Sequence, residues 1–258
     1  MQSAFKSLRN RVLNKELLSG TFINLGSSIT TEIAGRSGLD WLLIDLEHGA
    51  GDDESLVYQL QAASATPAAP IVRIANNDPW RFKRVLDLGA SGIMVPWVST
   101  AEEAEQVASA MRYPPQGIRG VAKLNRASGF GEDFKTYFEQ ANEQLLTIVQ
   151  IEQKEALNNL DAIAAVDGID VLFFGPLDMS VSMGIPQQYD HPDFIAVKQM
   201  IAEAASKAGK AAGTLLMTPD QIESTVAQGY SFIALGSDGG SVANGMQQIA
   251  FAFNPFRR

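Results

Sequence analysis

A chain of 258 residues with 29 acidic and 20 basic side chains, a net charge of −9 and a pI near 4.8 is ill suited to nucleic acid or to an anionic membrane surface. It contains no cysteine, which excludes disulfides, thiolate metal ligands and a cysteine nucleophile, so any metal would rest on oxygen or imidazole ligands. The start of the chain has scattered charges and no apolar core of signal-peptide length, and no run of about 18 apolar residues occurs, so a cytoplasmic protein outside the membrane is expected.

Taken in chain order, short apolar or β-branched runs alternate with longer stretches of helical period. GTFINL (20–25) reads as the first strand and WLLIDLE (41–47) as the second. DDESLVYQLQAAS then reads as a helix with acids in its first turn, followed by PIVRI (70–74) as a strand. DLGASG stops the next helix before GIMVPW (92–97), and TAEEAEQVASAMR is helical again. LLTIVQIE (145–152), IDVLFFG (169–175), KAAGTL (210–215) and SFIALG (231–236) complete the strands, with KEALNNLDAIAAV and TPDQIESTVAQG among the intervening helices. Eight strand–helix pairs in this length predict a single (β/α)8 TIM barrel spanning 1–258. No G-x-G-x-x-G follows the first strand, which argues against a doubly wound sheet.

In such a barrel the chemistry gathers where strands end, so the polar residues there form a candidate site. The second strand poses a question, because an apolar run carries Asp45 and Glu47 and leads into His48, one of two histidines. Asp45 and Glu47 share a face, and His48 begins the loop; the expectation is a base or proton shuttle at His48 held by Asp45. Arg73 offers a fixed fork for a carboxylate substrate. Gln150 and Glu152 share a face of the fifth strand, and Asp178 lies in the loop after the sixth. Glu152 and Asp178, without thiols nearby, suit a hard divalent cation such as Mg²⁺, Mn²⁺ or Co²⁺, although Glu152 could equally be first-turn helix charge. His191, in YDHPDF, reads as a helix cap. Two connections, 112–134 and 175–194, exceed the length of a simple turn, and both are expected on the face that carries His48. The first would bring Arg119, Lys123 and Arg126 to the mouth, with Arg126 binding a distal acid of the substrate, unless the loop is merely solvated.

Together DWLLIDLEHG, PIVRI, GASGIMVPWVSTAEEAE, RYPPQGIRG, VQIE and FFGPLDMS resemble the HpcH/HpaI aldolase family, the metal-dependent pyruvate aldolases of the phosphoenolpyruvate-binding barrels, across about residues 20 to 240. The resemblance implies reversible cleavage of a 4-hydroxy-2-oxo acid to pyruvate, or a close 2-oxo acid, and an aldehyde, in the breakdown of aromatic or sugar acids. It implies Glu152 and Asp178 as metal ligands, Arg73 as the arginine that binds the oxoacid and steadies its enolate, and His48 as the catalytic histidine with Asp45 beside it. Gln150, Gly175, Pro176 and Leu177 would flank the bound oxoacid. It also implies a homo-oligomer, usually a hexamer, with an N-terminal helix and a C-terminal helix that packs on a neighbouring subunit. Leu177 and Asn24 depart from the pattern of some members, and both bear on the aldehyde half.

Two rival activities share the architecture. A citrate or acyl-CoA-ester lyase would need a larger basic entrance for its nucleotide. A sugar-phosphate enzyme would use ALGSDGGS, after the eighth strand, as a phosphate loop.

Overall fold

The computed structural model describes residues 2–257. Its eight strands are β1 (Leu18–Ile23), β2 (Trp41–Asp45), β3 (Ala69–Arg73), β4 (Gly92–Val95), β5 (Leu146–Ile151), β6 (Val171–Phe174), β7 (Ala211–Leu216) and β8 (Tyr230–Ser237). They pair in sequence order, every neighbour parallel, and β8 closes onto β1. All eight predicted strands are present, within two residues of their expected starts.

The helices are α1 (Gln2–Leu13), α2 (Ser28–Gly35), α3 (Asp53–Ser64), α4 (Pro79–Asp87), α5 (Ala101–Met111), α6 (Phe134–Gln144), α7 (Leu160–Ala165), α8 (Pro176–Ser182), α9 (Pro192–Lys207), α10 (Ile222–Ala227) and α11 (Asp238–Ala252). Two expected helices are shorter, because KEALNN and PDQ wind first as 3₁₀ turns before α7 and α10. Local chemistry fixes several starts. Asp52 with Ser55, and Thr100 with Glu103, form reciprocal capping boxes at α3 and α5. His191 caps α9, its Nδ1 accepting from the Asp193 N–H at 3.2 Å, as expected. Among the described residues no helix is long and apolar enough to cross a membrane.

Alternation along each strand divides the core. One apolar cluster lies between strands and helices; the other fills the barrel, with Phe22, Trp41, Leu43, Ile71, Ile148 and Phe232 among its members and Leu8 and Val12 of α1 closing its lower end. Trp41 stacks on Phe232 with ring centres 4.1 Å apart, and its indole lies where a Cβ on Gly20 would sit, 2.2 Å away, so only glycine fits there.

The inward positions are apolar at the lower end and turn polar at the upper. On β2 they run Trp41, Leu43, Asp45; on β3, Ala69, Ile71, Arg73; on β5, Leu146, Ile148, Gln150. Register places Asp45 beside Arg73.

The 112–133 connection sits elsewhere than expected. It leaves the end of α5, not of a strand, and so begins at the barrel's lower end, where Ala127 N–H donates to the Asp87 carbonyl at the end of α4. The loop after β6 is on the upper face, as anticipated.

Candidate active site

At the upper end Asp45 and Arg73 form a buried two-point pair, with Nε to Oδ1 at 2.9 Å and Nη2 to Oδ2 at 2.7 Å. Burial alone would raise the Asp45 pKa, but the guanidinium and the N–H groups of Glu47 and His48 hold it below its usual value. This corrects one expectation. Asp45 meets His48 only through the backbone N–H, at 3.3 Å, and its carboxylate is spent on Arg73. The His48 imidazole is 68% exposed at the mouth, and the acid near it is Glu47, 3.9 Å from Nε2.

Glu47 therefore belongs to the site. It also lies 3.1 Å from Arg73 Nη1, and burial raises its pKa despite that neighbour. The sequence puts it at this strand end on the face of Asp45 but gives it no role.

Gln150 and Glu152 continue the inward row of β5. The Gln150 amide donates to Glu152 Oε2, and its Oε1 lies 3.5 Å from Arg73 Nη1. Glu152 Oε1 accepts the backbone N–H of Trp97 at 2.9 Å. Burial pushes the Glu152 pKa up to about 7; the Trp97 N–H opposes that, while the charges of Asp178 and Glu47 add to it. Gly175 is glycine for a steric reason, since a Cβ there would stand 2.5 Å from Glu152 Oε2. Pro176, Leu177 and Asp178 form the first turn of α8, with Leu177 half exposed.

Asp45, Glu47 and Glu152 thus act on Arg73, and Asp178 adds its charge to Glu47 and Glu152, four carboxylates to one guanidinium at this end. Among the described residues no three His, Cys, Asp or Glu side chains converge on one ion position. Glu152 and Asp178 are the two oxygen donors that a divalent cation could use, with its other positions open to substrate, and the excess negative charge fits a cation.

Arg126 is not at this mouth. Its Nη1 donates to the Leu88 carbonyl at 2.9 Å and its Nη2 to Ser64 Oγ at 3.1 Å, pinning the 112–133 loop to the lower ends of α3 and α4. Arg119 lies at the same end, buried against Asp87 at 2.8 Å and over the Tyr113 ring. The loop after β8 is no phosphate loop either. Asp238 fills it, accepting from Asn24 N–H at 2.8 Å and from Thr30 Oγ1 at 2.6 Å, and its carboxylate would repel a phosphate.

The family model for HpcH/HpaI aldolase/citrate lyase matches residues 18–245. The chain belongs to that family. It is 39% identical over 239 residues to a 5-keto-4-deoxy-D-glucarate aldolase of Shigella dysenteriae, 93% of each chain. A hydroxypyruvate/pyruvate aldolase of Roseobacter denitrificans is 40% identical over 251 residues, covering 97% of this chain and 98% of that one. Among solved structures, a HpcH/HpaI aldolase/citrate lyase family protein from Burkholderia cenocepacia superposes with a TM-score of 0.91 at 33% identity, covering 96% of this chain and 98% of that one.

Proposed function

We propose that this HpcH/HpaI family member is a divalent-cation-dependent aldolase that reversibly cleaves a 4-hydroxy-2-oxo acid to pyruvate, or a close 2-oxo acid, and an aldehyde. The observation that carries the reading is the arrangement around Arg73: a buried guanidinium oriented by Asp45 and flanked by two further acids that suit a cation. Its Nη1 lies 3.1 Å from Glu47 and 3.5 Å from the Gln150 amide oxygen, and a 2-oxo acid seated here would compete for that edge of the guanidinium, whose charge would offset the charge arising on the 2-oxo oxygen.

In the cleavage direction His48 takes the proton of the 4-hydroxyl. That oxygen forms the aldehyde carbonyl, the C3–C4 bond breaks, and its electron pair moves to C3 and the 2-oxo group as the enolate of pyruvate. A proton returned to C3 completes the methyl group. Glu47, 3.9 Å from the imidazole, steadies the protonated His48. A bound Mg²⁺, Mn²⁺ or Co²⁺, held by Glu152 and Asp178, would supply Lewis-acid stabilisation of the enolate. Gln150 fixes the orientation of Glu152. Gly175, Pro176 and Leu177 would border the oxoacid.

The same reading takes the chain as one cytoplasmic unit that works as a homo-oligomer, a hexamer by resemblance, with sugar-acid breakdown as its setting. Support for assembly comes from α11, where Val242, Met246, Ile249 and Phe251 are exposed, and from Ile29 and Ile33 of α2 beside it.

Hydrogen–deuterium exchange at the methyl of pyruvate, followed by NMR, tests the enolate step without knowledge of the aldehyde. Exchange that needs added Mn²⁺ or Mg²⁺ and vanishes in Arg73→Ala supports the reading. No exchange with any of the three ions removes it and favours the citrate or acyl-ester lyase alternative.

A further inference from the structure

Beside the carboxylates lies a cavity of about 360 Å³, walled by the upper ends of β2, β3 and β4 and their loops, with His48, Asn76, Trp97 and Asp178 among its residues. If the oxoacid half lies at Arg73, this adjoining room receives the other fragment. Its charged residues besides His48 are Glu47, Glu103 and Asp178, with no Lys or Arg among the described residues of the wall. Glu103 is held by the N–H groups of Ser99 and Thr100 at 2.7 and 3.1 Å, and among the described residues no cation pairs with it. With Asp178 assigned to the cation and Glu47 3.1 Å from Arg73, Glu103 is the acid of the wall that an aldehyde's own carboxylate would meet as like charge, whereas an uncharged aldehyde would not.

Trp97 is the unusual member of the wall. Its φ is 59°, a left-handed backbone that is an outlier for a bulky side chain. That conformation aims its N–H at Glu152 Oε1, a task Gly or Asn would perform with less strain. The indole is not needed for the core, since the residue is 58% exposed. Trp41, by contrast, is fully buried inside the barrel, and Trp80, although 69% exposed with Lys83 Nζ 3.9 Å from its ring centre, sits on ordinary helical backbone at the start of α4. Strain and exposure together point to a role for the Trp97 ring toward whatever enters the cavity.

We infer that Trp97, with the Asn76 amide, forms the subsite of the aldehyde half and selects a short, uncharged hydroxyaldehyde. The C–H face of such a molecule lies on the indole, and its hydroxyls are served by the amide, which donates and accepts. The inference rests on the oxoacid cleavage proposed above.

The test measures aldol addition of pyruvate, with the full chain and Mn²⁺, to glyceraldehyde and to succinic semialdehyde, alongside methyl exchange of pyruvate alone. Wild type should favour glyceraldehyde in kcat/KM by tenfold or more. Trp97→Ala should raise KM for glyceraldehyde at least fivefold more than it slows exchange, with Trp97→Phe recovering most of the loss. Preference for the semialdehyde, or equal losses in exchange and in acceptor KM, overturns the subsite. If wild type shows no exchange, the cleavage reading fails on its own. Fluorescence of the Trp80→Phe protein then decides the subsite separately: quenching by glyceraldehyde that disappears in the Trp80→Phe, Trp97→Phe protein supports it, and its absence overturns it.

Discussion

The two ends of the barrel treat charge in opposite ways. At the lower end four acids each have an arginine of their own, Asp170 with Arg9 at 2.9 Å, Asp40 with Arg11 at 2.9 Å, Asp87 with Arg119 at 2.8 Å and Asp167 with Arg112 at 3.0 Å, while Arg9 and Arg11 also reach Glu143 and Glu16. At the upper end Asp45, Glu47 and Glu152 share Arg73, and Asp178 adds its charge to Glu47 and Glu152. The first pattern ties α1 and the long loop to the scaffold. The second leaves unbalanced negative charge where water and substrate can enter, at a cost in stability that is the signature of a site and not of a frame.

The contrast is broken most directly at Glu152. Replacing it by Gln keeps the shape and removes a charge that burial and two acids disfavour. Metal-dependent exchange of pyruvate should fall by roughly 10³-fold, the equivalent of several kcal/mol of lost Lewis-acid stabilisation. Thermal stability of the metal-free protein should rise. The sign follows from the pKa, which folding raises from 4.5 to about 7: the protonated form is favoured, and stability from this group is lost as pH climbs through that window. The advantage of Glu152→Gln in Tm should thus be absent near pH 4.5 and complete above about pH 7. A lower Tm for the variant at pH 8 would mean that the upper end is not strained by its charge.

His48 sharpens the same point. Its side chain is 68% exposed, so His48→Ala should leave Tm unmoved while slowing oxoacid cleavage by about 10²- to 10⁴-fold. Cleavage within threefold of wild type would assign the proton transfer elsewhere.

At the lower end the balance of effects should reverse. Arg9→Met leaves Asp170, whose side chain is 3% exposed, without its guanidinium. Breaking a buried pair in this way costs about 3–5 kcal/mol, a fall in Tm of roughly 10 °C for a chain of this size. The kcat/KM of the surviving folded protein should stay within twofold. A large loss of activity without a loss of Tm would show that the two ends are coupled.

Much of this was legible in the sequence, and the residues show why the rest was not. Strand alternation is local, so the eight strands and the inward row Leu146, Ile148, Gln150 followed by Glu152 could be read directly. Capping at His191 was likewise decided within three residues. Partner choice is not local. Asp45 lies 28 positions from Arg73 and three from His48, and proximity in sequence favoured the wrong partner; the register of β2 against β3 selects the arginine. The basic loop at 112–133 was misplaced for another reason. Its composition suits a substrate mouth, but it follows α5, and a helix between strand and loop returns the chain to the lower end. Trp97 could not be singled out because its role depends on a positive φ that no pattern of neighbours announces.

Away from both ends, Lys198 refines the comparison, because its ammonium is matched to a hydroxyl and not to an acid. Nζ donates to Thr225 Oγ1 at 2.8 Å and lies 5.4 Å from the centre of the Tyr230 ring, and burial lowers its pKa from 10.5 to about 8. Folding therefore favours the neutral amine. The cost is present in full below about pH 8 and is relieved as pH rises toward 10.5, where the unfolded chain also loses its proton. Lys198→Met keeps the length of the side chain and removes the charge, so it should raise Tm by a few degrees at pH 7 and by less as the pH approaches 10.5. An equal shift at both pH values would assign the gain to apolar packing. A lower Tm at pH 7 would mean that the hydroxyl and the ring outweigh burial, and that a cation in this scaffold does not need an acid to be well placed.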